Sequence, residues 1–223
     1  MKGILLGLVT LGIGVGIRFA WVLFFSRRRK QALSELAQQL GWTLHAGGLK
    51  LADTPCFSGK TNPRVENVMK GSASGLHALM FDFLYDEEIS GAEGGSSTVT
   101  TKWTIAAFSS PQYQLPSFVL KKKGLNRKSP DRIEMADQPE FDKRFVLTGK
   151  DKPSISSLFE PHLVSFLLST NHDARLCLEG AGPWLVFYYE NVLRRGKCLS
   201  PKQWAGFLQE TSQIATRFLQ MAA

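Results

Sequence analysis

Several stretches of this 223-residue sequence carry residue types that could do chemistry. Ser58-Gly59-Lys60-Thr61 has the ending of a phosphate-binding loop, in which backbone N–H groups cradle phosphates and the lysine reaches them. That loop needs a glycine five positions before Gly59, where Thr54 stands, and a helix after the threonine, where Asn62-Pro63 follow. Gly71-Ser72-Ala73-Ser74-Gly75 has the glycine frame of a nucleophile elbow, but its central residue is alanine. His45, His77, His162 and His172 stand in no HxxxH or HExxH relation, and no CxxC pairs with them. Cys177 and His172 have the types of a nucleophile and its base. Leu176-Cys177-Leu178, however, reads as a strand in which the cysteine is a small buried hydrophobe. Asp82, Asp86, Glu87 and Glu88 are the densest acidic group, and paired carboxylates can move protons or hold cations. Ahead of a glycine-rich loop they read as a solvated turn. These readings leave no catalytic residue, no metal ligand set and no cofactor.

The elements that would position such residues begin with a membrane anchor. From Ile4 to Phe25 runs a 22-residue apolar stretch interrupted by Arg18 and followed by Arg27-Arg28-Arg29-Lys30. About 20 apolar residues at 1.5 Å each span a hydrocarbon core of roughly 30 Å. A cleaved signal peptide would place its basic residues first and a shorter apolar core after them, so a retained single-pass helix is the reading. Basic residues beside a span stay on the cytoplasmic side. The expectation is an inner-membrane protein with its N-terminus out and its C-terminal domain in the cytoplasm. Arg18 lies close enough to the cytoplasmic end to snorkel to the phosphates. With Arg27, Arg28, Arg29 and Lys30 it forms the expected membrane-surface set.

The formal charge of +8 is concentrated at this end. Beyond residue 30 the chain has 21 basic against 19 acidic residues, a net +2. A nucleic-acid footprint should be basic on the domain itself, so nucleic acid is not an expected partner. The expected partners are the bilayer, its anionic headgroups and a protein of unspecified identity. Within the domain, Lys121, Lys122, Lys123, Arg127 and Lys128, with Arg132 close by, form a basic run that could dock on anionic lipid or be a solvated loop. Cys56, Cys177 and Cys198 are odd in number and irregularly spaced, which suits reduced thiols.

The fold class expected after the anchor is α+β, an antiparallel sheet with packed helices. The division is 1–30 as anchor and basic flank and 31–223 as the domain, with a sub-boundary within 121–139. Leu33, Leu36, Ala37 and Leu40 recur at helical spacing and Gly41 is placed as a stop. Leu79, Phe81, Phe83 and Tyr85 alternate with Met80, Asp82, Leu84 and Asp86, and Val99, Thr101, Trp103 and Ile105 alternate with Thr98, Thr100, Lys102 and Thr104, which predicts an antiparallel hairpin. Further strands are expected around 65–72, 117–121 and 141–148, and a second hairpin around Gly180-Ala181-Gly182-Pro183. A short helix is expected over 163–168. Ser200-Pro201-Lys202-Gln203 is the start of a long C-terminal amphipathic helix whose stripe of Trp204, Phe207, Leu208, Ile214, Ala215, Phe218 and Leu219 should face the core.

The order Phe81-Asp82-Phe83-x-Tyr85, glycine-rich loop, Thr/Lys-rich strand, Glu140–Asp151 turn and Leu158–Leu168 helix resembles a group of uncharacterised bacterial proteins with one N-terminal transmembrane helix and an α+β domain. The resemblance implies this architecture and a bacterial setting, and brings no established activity or site residues. The function expected is a membrane-anchored cytoplasmic binding or scaffolding domain. A membrane-tethered enzyme with a dispersed site and an anionic-lipid surface sensor are the alternatives.

Overall fold

The computed structural model describes residues 24, 26–49, 57, 59–90, 96–123, 130–169, 176–190 and 198–221. A first helix, α1 (residues 26–40), leads into β1 (Thr43–His45), β2 (Thr61–Ala73), β3 (Leu76–Ser90), β4 (Ser96–Ser109), β5 (Leu115–Lys122) and β6 (Arg132–Ile133). Then come α2 (Pro139–Arg144), β7 (Phe145–Thr148), α3 (Lys152–Leu158), α4 (Pro161–Ser169), β8 (Leu176–Gly182), β9 (Trp184–Tyr189) and α5 (Pro201–Met221). The strands form one nine-stranded sheet in the order β1-β2-β3-β4-β9-β8-β5-β7-β6, antiparallel throughout. The α+β class with a large antiparallel sheet and a C-terminal helix is therefore as read.

Local chemistry explains the connections. Ser74 and Gly75 have φ of 52° and 81°, the left-handed pair that a two-residue hairpin loop requires between β2 and β3. β3 and β4 pair in continuous register with Phe83 opposite Trp103, so the aromatic residues of both strands fall on one face. At the foot of α1, Gly41 (φ 68°) lets Trp42 N–H return to the Ala37 carbonyl at 2.8 Å, closing the helix. The Trp42 indole then lies on Gly71, where an added Cβ would sit 2.3 Å from the ring.

The two faces of the sheet are covered differently. On one, Met69, Met80, Ala106, Phe108, Phe118, Leu120, Leu178 and Phe187 meet Leu33 and Ala37 of α1, Leu163 and Leu167 of α4, and the α5 stripe from Trp204 to Leu219. That stripe is buried to within a few per cent, as its spacing predicts. On the other face, Val68, Phe81, Phe83, Tyr85, Trp103, Ile105, Val186 and Tyr188 form a second core joined by Phe57.

Three readings change. The segment expected as a strand over 141–148 is α2 followed by β7: Pro139 opens the helix, and Phe141 and Phe145 pack their rings 5.1 Å apart. Residues 121–139 do not separate two sheets, since β5 pairs directly with both β7 and β8. The line drawn after residue 30 falls inside α1. The apolar stretch, apart from Phe24, lies outside the described residues, as do Arg18, Arg127 and Lys128. Among the described residues no helix is long and apolar enough to cross a membrane.

Candidate functional site

Asp82, expected in a solvated turn, stands in the middle of a 15-residue strand and is fully buried. Strand alternation turns it, with Met80, toward the helices and away from Phe81 and Phe83. Arg29 of α1 meets it as a fork: Nε donates to Oδ2 at 3.0 Å, and Nη2 donates to Oδ1 at 2.8 Å and Oδ2 at 2.9 Å. Asn67 Nδ2 donates to Oδ2 at 2.8 Å, Thr104 Oγ1 to Oδ1 at 3.2 Å, and Lys102 Nζ lies 3.3 Å from Oδ2. A carboxylate has about four lone-pair sites, and these are occupied. Asp82 is thereby held in place as the counter-charge to Arg29 and Lys102.

The same guanidinium ties three elements together. Arg29 Nη1 donates to the Leu199 carbonyl at 2.7 Å, and its Cζ lies 5.7 Å from the Trp204 ring of α5. Leu199 N–H in turn donates to Thr104 Oγ1 at 2.9 Å. Two residues of the anticipated helix signature follow at once, with Ser200 N–H and Oγ both donating to Gln203 Oε1 at 3.0 and 2.9 Å. Cys198 Sγ lies 3.8 Å from Asp82 Oδ1; partial burial, then the neighbouring Asp82 charge, pushes its thiol above the ordinary value.

On the opposite face the aromatic core carries its own polar fittings. Trp103 stacks on Tyr188 with centroids 4.6 Å apart and meets Tyr85 edge-on at 5.4 Å. Lys60, from the rejected phosphate loop, places its ammonium 4.1 Å from the Tyr85 centroid and 5.2 Å from that of Trp103. Tyr85 donates to Glu87 Oε1 at 2.7 Å, and Tyr188 donates to the buried Glu179. Burial, reinforced by these carboxylates, raises both phenols above their usual range. Cys177, within this core, is pushed up to about 12 by burial, which makes it inert as a nucleophile near neutral pH. His77 lies 3.4 Å from Ser109 Oγ and against the Trp184 ring, and His172 lies outside the described residues. Among the described residues no group of three or more His, Cys, Asp or Glu is arranged to hold a metal ion.

The anticipated membrane-surface residues divide. Arg27, Arg28 and Lys30 are exposed on α1, while Arg29 is committed to Asp82 and only 19% exposed. In the basic run, Lys121 pairs with Glu190 on the aromatic face, whereas Lys122 points to the helix side, beside Leu120 and Phe145. Lys123 donates through Nζ to the Asp142 carbonyl at 3.0 Å. Sequence alternation could have separated Lys121 from Lys122; the partners could not have been named from it.

An open groove of about 780 Å³ follows the outer side of α5, lined by Gly206, Gln209, Gln213, Arg217 and Gln220 with Phe166 of α4. Its volume is in the range of ligand clefts, but its walls are mainly long polar side chains.

No family model matches the chain, and no curated protein matches it. Among solved structures it is similar to the crystal structure of the mycobacterial trehalose monomycolate transport factor A, TtfA, with a TM-score of 0.58 and 16% identity over 88% of this chain and 97% of that one. At that identity the likeness is one of fold, extending over nearly the whole length of both chains.

Proposed function

We propose that this chain is a membrane-anchored accessory factor, a cytoplasmic binding or scaffolding domain that serves the movement of a lipid-linked cargo and performs no covalent step of its own. The observation that carries the reading is the attachment of α1. The helix that leads out of the apolar N-terminal stretch is built into the sheet through Arg29, Leu33 and Ala37, so an anchor continuous with it would hold the domain as one body at the bilayer. The transport role of TtfA, whose fold spans the same length, supplies the functional class. The saturated hydrogen bonding of Asp82 and the inert Cys177 fit a binding domain.

The test is twofold. A reporter active only outside the membrane, fused after Ala223, should be silent while the full chain stays with membranes through alkaline extraction. Deleting the chain should then leave a lipid-linked envelope precursor accumulated at the inner membrane. An active fusion, or a chain released by alkali, would overturn the anchoring; unchanged precursor distribution would overturn the transport role.

A further inference from the structure

The inward stripe of α5, from Trp204 to Leu219, is buried against the sheet. Its outward side carries Gly206, Gln209, Gln213, Arg217 and Gln220, all exposed and all lining the open groove that Phe166 closes from α4. A solvated helix face is usually covered by charged side chains, paired three or four positions apart. Gln209 and Gln213 stand at that spacing, and Gln220 follows seven residues on, so carboxamides replace the charges. Among the described residues, these three amides make no side-chain hydrogen bond.

Gly206 departs from expectation in a second way. Glycine inside a helix is destabilising relative to alanine, because it loses more backbone freedom on folding. A Cβ at this position would meet nothing within 4 Å, so no contact inside the domain requires its absence. The missing side chain does leave the helix backbone open to whatever enters that end of the groove.

The lining also narrows the chemistry of an occupant. Its charged groups are Arg217 and Glu210, and Glu210 already accepts from Tyr189 Oη at 2.6 Å. One guanidinium is slight provision for phosphate groups, each of which draws several charge-assisted bonds. A docked protein helix needs a row of apolar anchors, whereas the hydrophobic lining residues are Phe166 and Ile214, and Ile214 is buried. A carboxamide presents a donor and an acceptor side by side, and a hydroxyl group both donates and accepts. The half-buried Phe166 ring adds a surface on which C–H groups can rest.

We propose that the α5 groove binds an uncharged oligosaccharide, its hydroxyls bonded by Gln209, Gln213, Gln220 and Arg217 and its C–H face set against Phe166. The helix rises about 21 Å from Gly206 to Gln220, which gives room for several sugar rings in line. The inference rests on the transport reading above for one point, that this sugar is the polar part of the lipid-linked cargo.

Full-length protein in nanodiscs, probed by saturation-transfer NMR with the neutral trisaccharides maltotriose, cellotriose and chitotriose, tests the groove. At least one of them should receive magnetisation from loaded discs and none from empty discs. Gln209→Ala combined with Gln213→Ala, which keeps good helix formers, should weaken that binding about tenfold. Gly206→Leu, placed where the fold leaves space, should abolish it, and Gln39→Ala on α1 should leave it unchanged. Absence of transfer to all three sugars, or transfer that survives both groove variants, overturns the site. A deletion strain separates a free sugar from a lipid-linked one. Gly206→Leu protein, folded and membrane-bound, should fail to restore the distribution of the lipid-linked precursor. Restoration would overturn the link to the cargo, while the trisaccharide result judges the groove alone.

Discussion

Replacing Arg29 by alanine should detach the first helix more than any other single change on its surface. Asp82 is fully buried and Arg29 is only 19% exposed. Removing one member of a buried, hydrogen-bonded ion pair costs about 3–5 kcal/mol because the other charge is left uncompensated. Here Lys102, Asn67 and Thr104 remain on the carboxylate, which moderates the loss to about 2–3 kcal/mol. A chain of residues 26–223 unfolded in urea should report it: with a slope of about 2 kcal/mol per molar, the midpoint should fall by about 1–1.5 M. Arg29→Lys should recover only part of this, since an ammonium cannot bridge both carboxylate oxygens and the Leu199 carbonyl together. Arg29→Ala combined with Asp82→Asn should cost less than the two changes summed, because the second removes the orphaned charge. A chain starting at residue 31 should match Arg29→Ala in instability or exceed it. A midpoint shift under about 0.3 M for Arg29→Ala, or additivity of the pair, would refute the reasoning.

Two glycines should respond with opposite signs in the same assay. Gly71→Ala drives a Cβ into the Trp42 indole and should cost about 1–3 kcal/mol, while Gly206→Ala, with open space around it on α5, should gain about 0.5–1 kcal/mol. Tyr188→Phe removes the donor to buried Glu179 and should cost about 1–3 kcal/mol by thermal or urea unfolding. The Cys198 thiol is raised by burial first and then by the Asp82 carboxylate, while Arg29 and Lys102 oppose both. Asp82→Asn removes a raising charge and leaves the lowering ones, so the pH midpoint for alkylation of the Cys198 peptide, followed by mass spectrometry, should move down. An unchanged or higher midpoint would contradict the placement of Cys198 beside Asp82.

What the sequence determined by itself was everything governed by local periodicity and caps. The alternation from Leu79 to Tyr85 and from Val99 to Ile105 specifies two long strands and the face each aromatic residue takes. Gly41 ends α1 and Ser200-Pro201 begins α5, because each signal satisfies its own helix terminus without help from elsewhere. Tertiary structure decided what depends on partners distant in sequence. Phe141–Thr148 has enough β-branched and aromatic character for a strand, yet Phe141 packs against Phe145 and Phe159, and the first half becomes helix. Asp82 looked like one of four surface carboxylates; its burial follows from Arg29, 53 residues earlier, whose charge makes an otherwise costly position stable. Sequence spacing could not show that Arg29, Asp82, Thr104 and Leu199 meet in one hydrogen-bonded network, since the packing of α1 and of the start of α5 on the sheet, between segments distant in the chain, places them there.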